Sequence, residues 1–401
     1  MSMPLIPARD TGGADTGGPV TDRLSYLVAL LSALYAVLGV YWSLGGDAYP
    51  FAAVPPDGDK LSALSLLPER YGAGLVAVLG AIGVPAALAT RLRGWSPASY
   101  RPLLVTAAVQ AIVFGLLCTD VVLVVLAAYT LVVLGVPAFL LMLIVGAVRR
   151  TGTRVMLGAV AAAVVAVALG TGVFSGPAFR ELADGLAGVP AKVGFRPLLV
   201  LGTFLLGTGW AVLGVRSYRT ARDRCGSCGR PGASWISPAT AARWGRRATI
   251  VAVLCPMPYA LLRFTWLLPN PIGFSAEELD AEPGMKMFGL GLGAVAFCAG
   301  LVTLGLIRPW GEVWPRWVPV LAERPVPVKA AVIPGTTAAL MLLVASPSIA
   351  TLSGSGEDPD AAQTVLHLLI FPFPLWGAAV GLATAGYYVR RRARCTVCGR
   401  A

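Results

Sequence analysis

The sequence predicts an all-α polytopic membrane protein of about ten transmembrane helices, and three observations carry that prediction. The chain is 56% hydrophobic and only 13% charged over 401 residues, where a soluble domain carries about 25% charged residues. Its apolar residues gather in runs of roughly 20, the length a helix needs to cross about 30 Å of hydrocarbon. Within each run they occupy every side of a helix, whereas a barrel strand would alternate apolar and polar over about 10 residues.

Taken in order, residues 1–23 are rich in Gly, Pro and Asp and read as a disordered cytoplasmic tail, without the apolar core of a cleaved signal. Spans are expected over 24–44, 71–90, 102–118, 121–148, 155–174, 197–215, 249–268, 288–307, 330–350 and 365–389. The stretch from 102 to 148 is divided at Cys118-Thr119-Asp120, because one helix of that length would run to more than about 60 Å. Pro85, Pro137, Pro256, Pro258, Pro334, Pro372 and Pro374 fall inside these runs. They read as kinks, since neighbouring helices in a bundle re-satisfy the freed carbonyls. Gly289 and Gly293, four residues apart, let helix backbones approach closely.

The net charge of +12 does not point to nucleic acid, because the basic residues stand beside the apolar runs and set orientation instead. With the N-terminus in the cytoplasm, 25 of the 32 basic residues fall on the cytoplasmic side. The outer side holds six: Lys60, Arg70, Arg180, Lys192, Arg196 and Lys286. The positive-inside rule therefore places both termini in the cytoplasm. Only four basic residues are lysine. That bias, with abundant Ala, Gly and Val, suits a GC-rich bacterial genome and hence a bacterial plasma membrane.

Three segments repeat in the same order. YAVLGVYWSL (Tyr35 to Leu44) lies over YALLRFTWLL (Tyr259 to Leu268), Tyr71-GAGLVAV over Phe288-GLGLGAV, and RCGSCGR over RCTVCGR. Matched spans share one orientation, so the repeat would be parallel, about an axis along the membrane normal. Two extra spans in the first half give six spans plus four. The domains expected are the tail 1–23, an N-terminal half 24–230, a cytoplasmic linker 231–248 and a C-terminal half 249–401.

Each half ends in a Cys-x-x-Cys-Gly-Arg motif, Cys225 with Cys228 and Cys395 with Cys398. Both follow a span and an arginine cluster, on the cytoplasmic face. A reducing compartment disfavours structural disulfides there. Two intervening residues let a tight turn aim both thiolates at one metal, and the following glycine supplies the backbone freedom that closes it. Two such pairs complete a tetrahedral zinc site. The pairs resemble the knuckles of zinc-ribbon proteins over these residues alone, with a departure: 166 residues separate Cys228 from Cys395, against the usual 15 to 20. One shared site requires the halves to bring these ends together. A redox dithiol and exposed thiols without a role are the competing readings. Cys118, Cys255 and Cys298 lie in or at the ends of spans and read as packing residues.

Arg263 is the one basic residue well inside a span. It reads either as an arginine snorkelling to outer headgroups or as a substrate or lipid-phosphate contact framed by Tyr259, Trp266 and Asn270 and paired with Asp120. Tyr35, Trp42, Tyr259 and Trp266 otherwise fit interfacial aromatic anchors. His367, the sole histidine, reads as a polar residue at the outer start of the last span.

No lysine follows a glycine, so a P-loop is excluded, and HExxH and GxSxG are absent. The spans hold almost no carboxylates for a proton relay. Three functions follow: a transporter-like or permease-like bundle with a cytoplasmic zinc-type staple; a regulatory or scaffold protein contacting a cytoplasmic protein partner through the knuckles and the basic loop 216–247; or a membrane-embedded lipid-modifying enzyme. The expected partners are the lipid bilayer and a small-molecule or lipid ligand.

Overall fold

A computed structural model describes residues 19–399 apart from 53–61, 92–99, 121, 150, 172–174, 223, 231–236, 317, 319–320 and 354–368. The described residues are helical throughout, save one isolated bridge between Val313 and Pro325. The helices are α1 Pro19–Ser43, α2 Glu69–Ala89, α3 Tyr100–Ile112, α4 Val122–Thr130, α5 Val136–Arg149, α6 Thr151–Thr171 and α7 Gly176–Val193. They continue as α8 Arg196–Thr220, α9 Pro238–Leu254, α10 Met257–Phe264, α11 Ala276–Ala281, α12 Pro283–Thr303, α13 Val328–Ser353 and α14 Phe373–Arg391.

Seven helical stretches among the described residues are long and apolar enough to cross a membrane: Arg23–Ser43, Glu69–Ala89, Tyr100–Leu117, Arg196–Thr220, Pro238–Leu267, Pro283–Leu306 and Val328–Ser346. These fall on seven of the ten expected spans. The other three, 121–148, 155–174 and 365–389, fall on α4 with α5, on α6 and on α14, which are not among the seven. The outer faces of the seven stretches carry many apolar side chains, among them Leu30, Val37, Val105, Leu198, Leu261 and Val302, all more than half exposed. The small and polar residues point inward instead: Ser32, Gln110, Thr203 and Thr249 are fully buried. Apolar side chains on the outside, with polar ones buried among an apolar core, are consistent with a lipid solvent.

Helix interruptions fall where the sequence removes or diverts donors. The chain after Ile112 widens into a π turn over Val113–Leu117, closed by Cys118 N donating to the Val113 carbonyl at 2.8 Å. Hydroxyls answer the carbonyls released there: Thr119 donates to Phe114, Ser62 to Leu117 and Thr203 to Cys118. The helix thus breaks at Cys118–Asp120, where the sequence was divided. A second break lies between α9 and α10, where Pro256 and Pro258 supply no N–H; Cys255 donates back to Val251 and Ala260 restarts the ladder on Pro256.

Three boundaries differ from expectation. Helix α1 begins at Pro19, inside the segment read as a tail. The segment 231–248, read as a linker, is helical from Pro238: Ser237 Oγ caps Thr240 N and Pro238 occupies the first turn, so α9 carries Arg243, Arg246 and Arg247 beyond its apolar stretch. Residues 175–195, read as an outer loop, contain α7, whose Ala178 and Leu182 pack on Met287 and Leu290 of α12. Glu181 there caps the start of α12, accepting from Gly284 N at 3.0 Å.

Helices pair within residues 24–230 and within 249–401, and α7 with α12 crosses between them. In the first, α1 packs along α2, α3 along α8, and α1 also meets α8. In the second, α10 and α9 pack on α12, α13 along α14, and α9 along α14. Between them α13 lies against the π turn and α4, and α12 against α4 and the 131–135 segment.

Candidate metal centre

The ends of α8 and α14 lead within a few residues into the two cysteine pairs. Each pair folds into the same loop: Gly229 N donates to the Cys225 carbonyl at 2.6 Å, and Gly399 N to the Cys395 carbonyl at 2.8 Å. Closing it requires a left-handed backbone at the glycine, φ +74° at Gly229 and +68° at Gly399, which a side chain would strain. Gly229 also stands where a Cβ would lie 3.0 Å from Arg219 Nε.

The four ligand sulfurs, of Cys225, Cys228, Cys395 and Cys398, lie within 4.8 Å of one another, and Cys228 Sγ stands 3.5 Å from Cys398 Sγ. In a tetrahedron with Zn–S bonds of about 2.3 Å the sulfurs would be about 3.8 Å apart. The cluster therefore reaches metal-binding dimensions with sulfur displacements under about 1 Å. The two loops are braced across the cluster: Arg230 Nη1 donates to the Ala393 carbonyl at 3.3 Å and Arg392 Nη1 to the Cys228 carbonyl at 3.4 Å. Arg219 Nη1 donates to the Ser227 carbonyl at 3.0 Å. Three guanidinium groups thus surround a site that would carry negative charge when its thiols ionise.

The thiols are unequal. Amide N–H groups of Cys398 and Val397 point at Cys395 and pull its pKa down to about 6. Burial, reinforced by the neighbouring thiols, pushes Cys228 up to about 12 against the opposing amide of Arg230. One thiolate forms readily and crowds the next, a conflict that a divalent cation at the centre resolves. Four convergent thiols could hold a metal ion. Of the remaining cysteines, Cys118 and Cys255 are buried as packing residues should be, while Cys298 is exposed on α12.

The other predicted site residues are not gathered into one place. Asp120, fully buried, pairs with Arg196 and not with Arg263: Arg196 Nε and Nη2 donate to its Oδ2 at 3.0 and 2.9 Å, and Val122 N donates to Oδ1 at 2.9 Å. Arg196 Nη1 also reaches the Ala52 carbonyl at 3.3 Å. The expectation failed because several basic residues stand at outer helix ends, and only packing selects among them. Arg263 keeps its aromatic frame: Nε donates to Tyr259 Oη at 3.1 Å, and the guanidinium lies over Trp266. Asn270 is exposed beyond the helix and makes no contact with Arg263 among the described residues. His367 lies outside the described residues.

Tyr35, Trp42 and Trp266 are almost fully buried instead of lying at a membrane interface. Glycines open the slots: a Cβ at Gly202 would overlap the Tyr35 hydroxyl, and one at Gly289 the Trp266 indole. Arg196 itself was read only as an outer positive charge, and the sequence carried no signal that it meets Asp120. Comparison with protein-family models, with curated proteins and with solved structures finds no match to this chain, so its functional reading rests on the chemistry of the site.

Proposed function

We propose that this chain is a multi-pass protein of a bacterial plasma membrane, a permease-like bundle whose two halves are stapled at the cytoplasmic face by one zinc ion bound to Cys225, Cys228, Cys395 and Cys398. The observation that carries this reading is the convergence of four sulfurs to within 4.8 Å from two Cys-x-x-Cys pairs with 166 residues between them. An all-thiolate set is soft and closed, which selects zinc in a structural role over a metal with an open catalytic position.

Orientation follows from the same site. Both pairs hang from helix C-termini, so α8 and α14 end on one side, and α9 with α10, α12, α13 and α14 carry the chain across and back. The arginines flanking the pairs favour the cytoplasm for that side. A parallel duplication is supported by equivalent pairings: α1 with α2 corresponds to α10 with α12, α3 with α8 to α13 with α14, and α1 with α8 to α9 with α14. Repeats of this kind build carriers that work by movement of one half against the other.

Zinc analysis of the purified full chain tests the staple: one equivalent per protein, lost in Cys228→Ser, is the expected result. Flux of labelled solutes into proteoliposomes tests the permease reading. A chain that carries zinc, moves no solute and copurifies with a cytoplasmic protein would instead be the regulatory or scaffold protein.

A further inference from the structure

A guanidinium at a helix end needs its N–H donors answered, and the protein does this for Arg196 with Asp120 and for Arg390 with Glu312 and the Leu306 carbonyl. Arg263 is treated differently. Its Nε donates to Tyr259 Oη at 3.1 Å, and its Cζ lies 4.1 Å from the ring centroid of Trp266 and 5.1 Å from that of Tyr259. Among the described residues no carboxylate or carbonyl takes its two terminal nitrogens.

The group is nevertheless held in place. A Cβ at Gly293 would stand 2.7 Å from Arg263 Cβ, so α12 closes directly on the arginine's stem. Trp266 is fixed in the slot above Gly289 and against Phe274, with ring centroids 5.4 Å apart. The Tyr259 ring rests on Phe371 at 5.1 Å. The anchored Nε and the stacked face leave the edge carrying Nη1 and Nη2, which matches two oxygens of a phosphate or carboxylate. Arg263 stands four residues before Leu267, where the apolar stretch ends, or about 6 Å along the axis. That is headgroup depth. In the repeat alignment its counterpart is Gly39, so the feature belongs to one half only.

We propose that Arg263, positioned by Tyr259 and Trp266, binds a phosphate oxyanion, supplied by the headgroup of an outer-leaflet phospholipid. The inference rests on reading α9 and α10 as a membrane span. A phospholipid fits because the fork stands at the end of the apolar stretch, where a headgroup phosphate would meet it.

The test uses the full chain, purified in mild detergent and stripped of lipid. It is titrated with short-chain phosphatidylglycerol, phosphatidylcholine, phosphate-free diacylglycerol and inorganic phosphate, following the thermal midpoint and, by native mass spectrometry, bound lipid. Both phospholipids are expected to raise the midpoint and diacylglycerol is not. Arg263→Lys, which keeps the charge and loses the fork, should weaken binding about tenfold. Tyr259→Phe, which removes only the Nε anchor and keeps the ring, should weaken it about fivefold and serves if the arginine variants fail to fold. A response to inorganic phosphate and to neither phospholipid would support the same fork with a soluble phosphate as its source. No response to any phosphate compound, or equal binding by wild type, Arg263→Lys and Arg263→Leu, overturns the site. A chain that stays with membranes through an alkaline carbonate wash yet binds no phosphate loses this site alone. A chain released by the wash loses the span reading and the lipid site with it.

Discussion

Removing metal from the proposed centre is the perturbation expected to cost most. The centre links Cys228 to Cys395 across 166 residues. Cross-linking a free chain over that length removes about 17 cal/mol/K of loop-closure entropy, or about 5 kcal/mol at 25 °C. In a membrane that is an upper bound, because the spans between the pairs remain inserted when helix packing is lost and have less freedom to recover. The braces from Arg230 to Ala393 and from Arg392 to Cys228 survive without metal and retain about 1 kcal/mol each. The expected loss is therefore about 2 to 4 kcal/mol. At about 2 °C per kcal/mol for a large chain, the thermal midpoint should fall by about 4 to 8 °C. The assay is a thermal scan of detergent-purified protein with zinc measured on the same sample, before and after chelation, alongside Cys228→Ser and the exposed Cys298→Ser as a control. Chelation should lower wild type and Cys298→Ser alike and leave Cys228→Ser unmoved. A Cys228→Ser protein that keeps one zinc and the wild-type midpoint would refute the reasoning.

Three further outcomes follow from the geometry. In the metal-free protein Cys395, held near pKa 6 by amide donors, is thiolate at neutral pH while Cys228 is not; the stability that this thiolate contributes is present above the ordinary thiol range and is lost as pH falls through about 6. Iodoacetamide should label Cys395 first, with a rate that drops below pH 6, and equal rates at pH 5 and 8 would contradict the assignment. Asp120→Asn strands Arg196 in a mostly buried position and should cost about 3 kcal/mol in a denaturation series, whereas independent, additive effects of Asp120→Asn and Arg196→Gln would deny the pair. Single cysteines placed in 269–275 should react with an impermeant maleimide from outside and those in 237–247 only after permeabilisation; labelling of 237–247 in intact cells would reverse the orientation.

The apolar runs made seven spans legible, since a span needs little more than length and hydropathy. The start of α9 was legible too, in Ser237 followed by Pro238, a capping signal obscured by the arginines that follow it. Helix α7 was harder: its apolar Ala178 and Leu182 alternate with Arg180, Glu181 and Asp184, so average hydropathy hides a face that only α12 reveals. The four cysteines were readable as candidate ligands because their spacing is local, and their meeting was expected only on the assumption of a repeat. The partner of Asp120 was not readable, because Arg196 and Arg263 both stand near outer ends and the choice depends on which helices touch. Burial of Tyr35 and Trp266 was hidden for the same reason, since it depends on Gly202 and Gly289 facing them across a helix interface.

Helix α8 joins these features mechanically. It begins at Arg196, tied to Asp120 and the Ala52 carbonyl, and ends beside the cysteine loop, about 37 Å away along 25 residues. Between those ends Val200, Phe204, Gly207, Trp210 and Leu213 bury one continuous face against the first half. Every partner of that ion pair belongs to the first half, so it makes that half rigid without joining it to the second. The proposed metal centre would do the opposite, because its four cysteines come equally from 24–230 and 249–401 and hang on short segments after α8 and α14. At the seam itself a directional hydrogen bond, Gly284 N to Glu181 at 3.0 Å, stands beside apolar and aromatic contacts, with Tyr129 against Phe288 at 4.4 Å and Val132 against Gly291. The apolar contacts are non-directional and can slide, whereas thiolate bonds to a metal cannot. In the proposed reading the halves would pivot about the cytoplasmic face, where the sulfurs converge, and separate at the outer one only by releasing the Glu181 cap of α12.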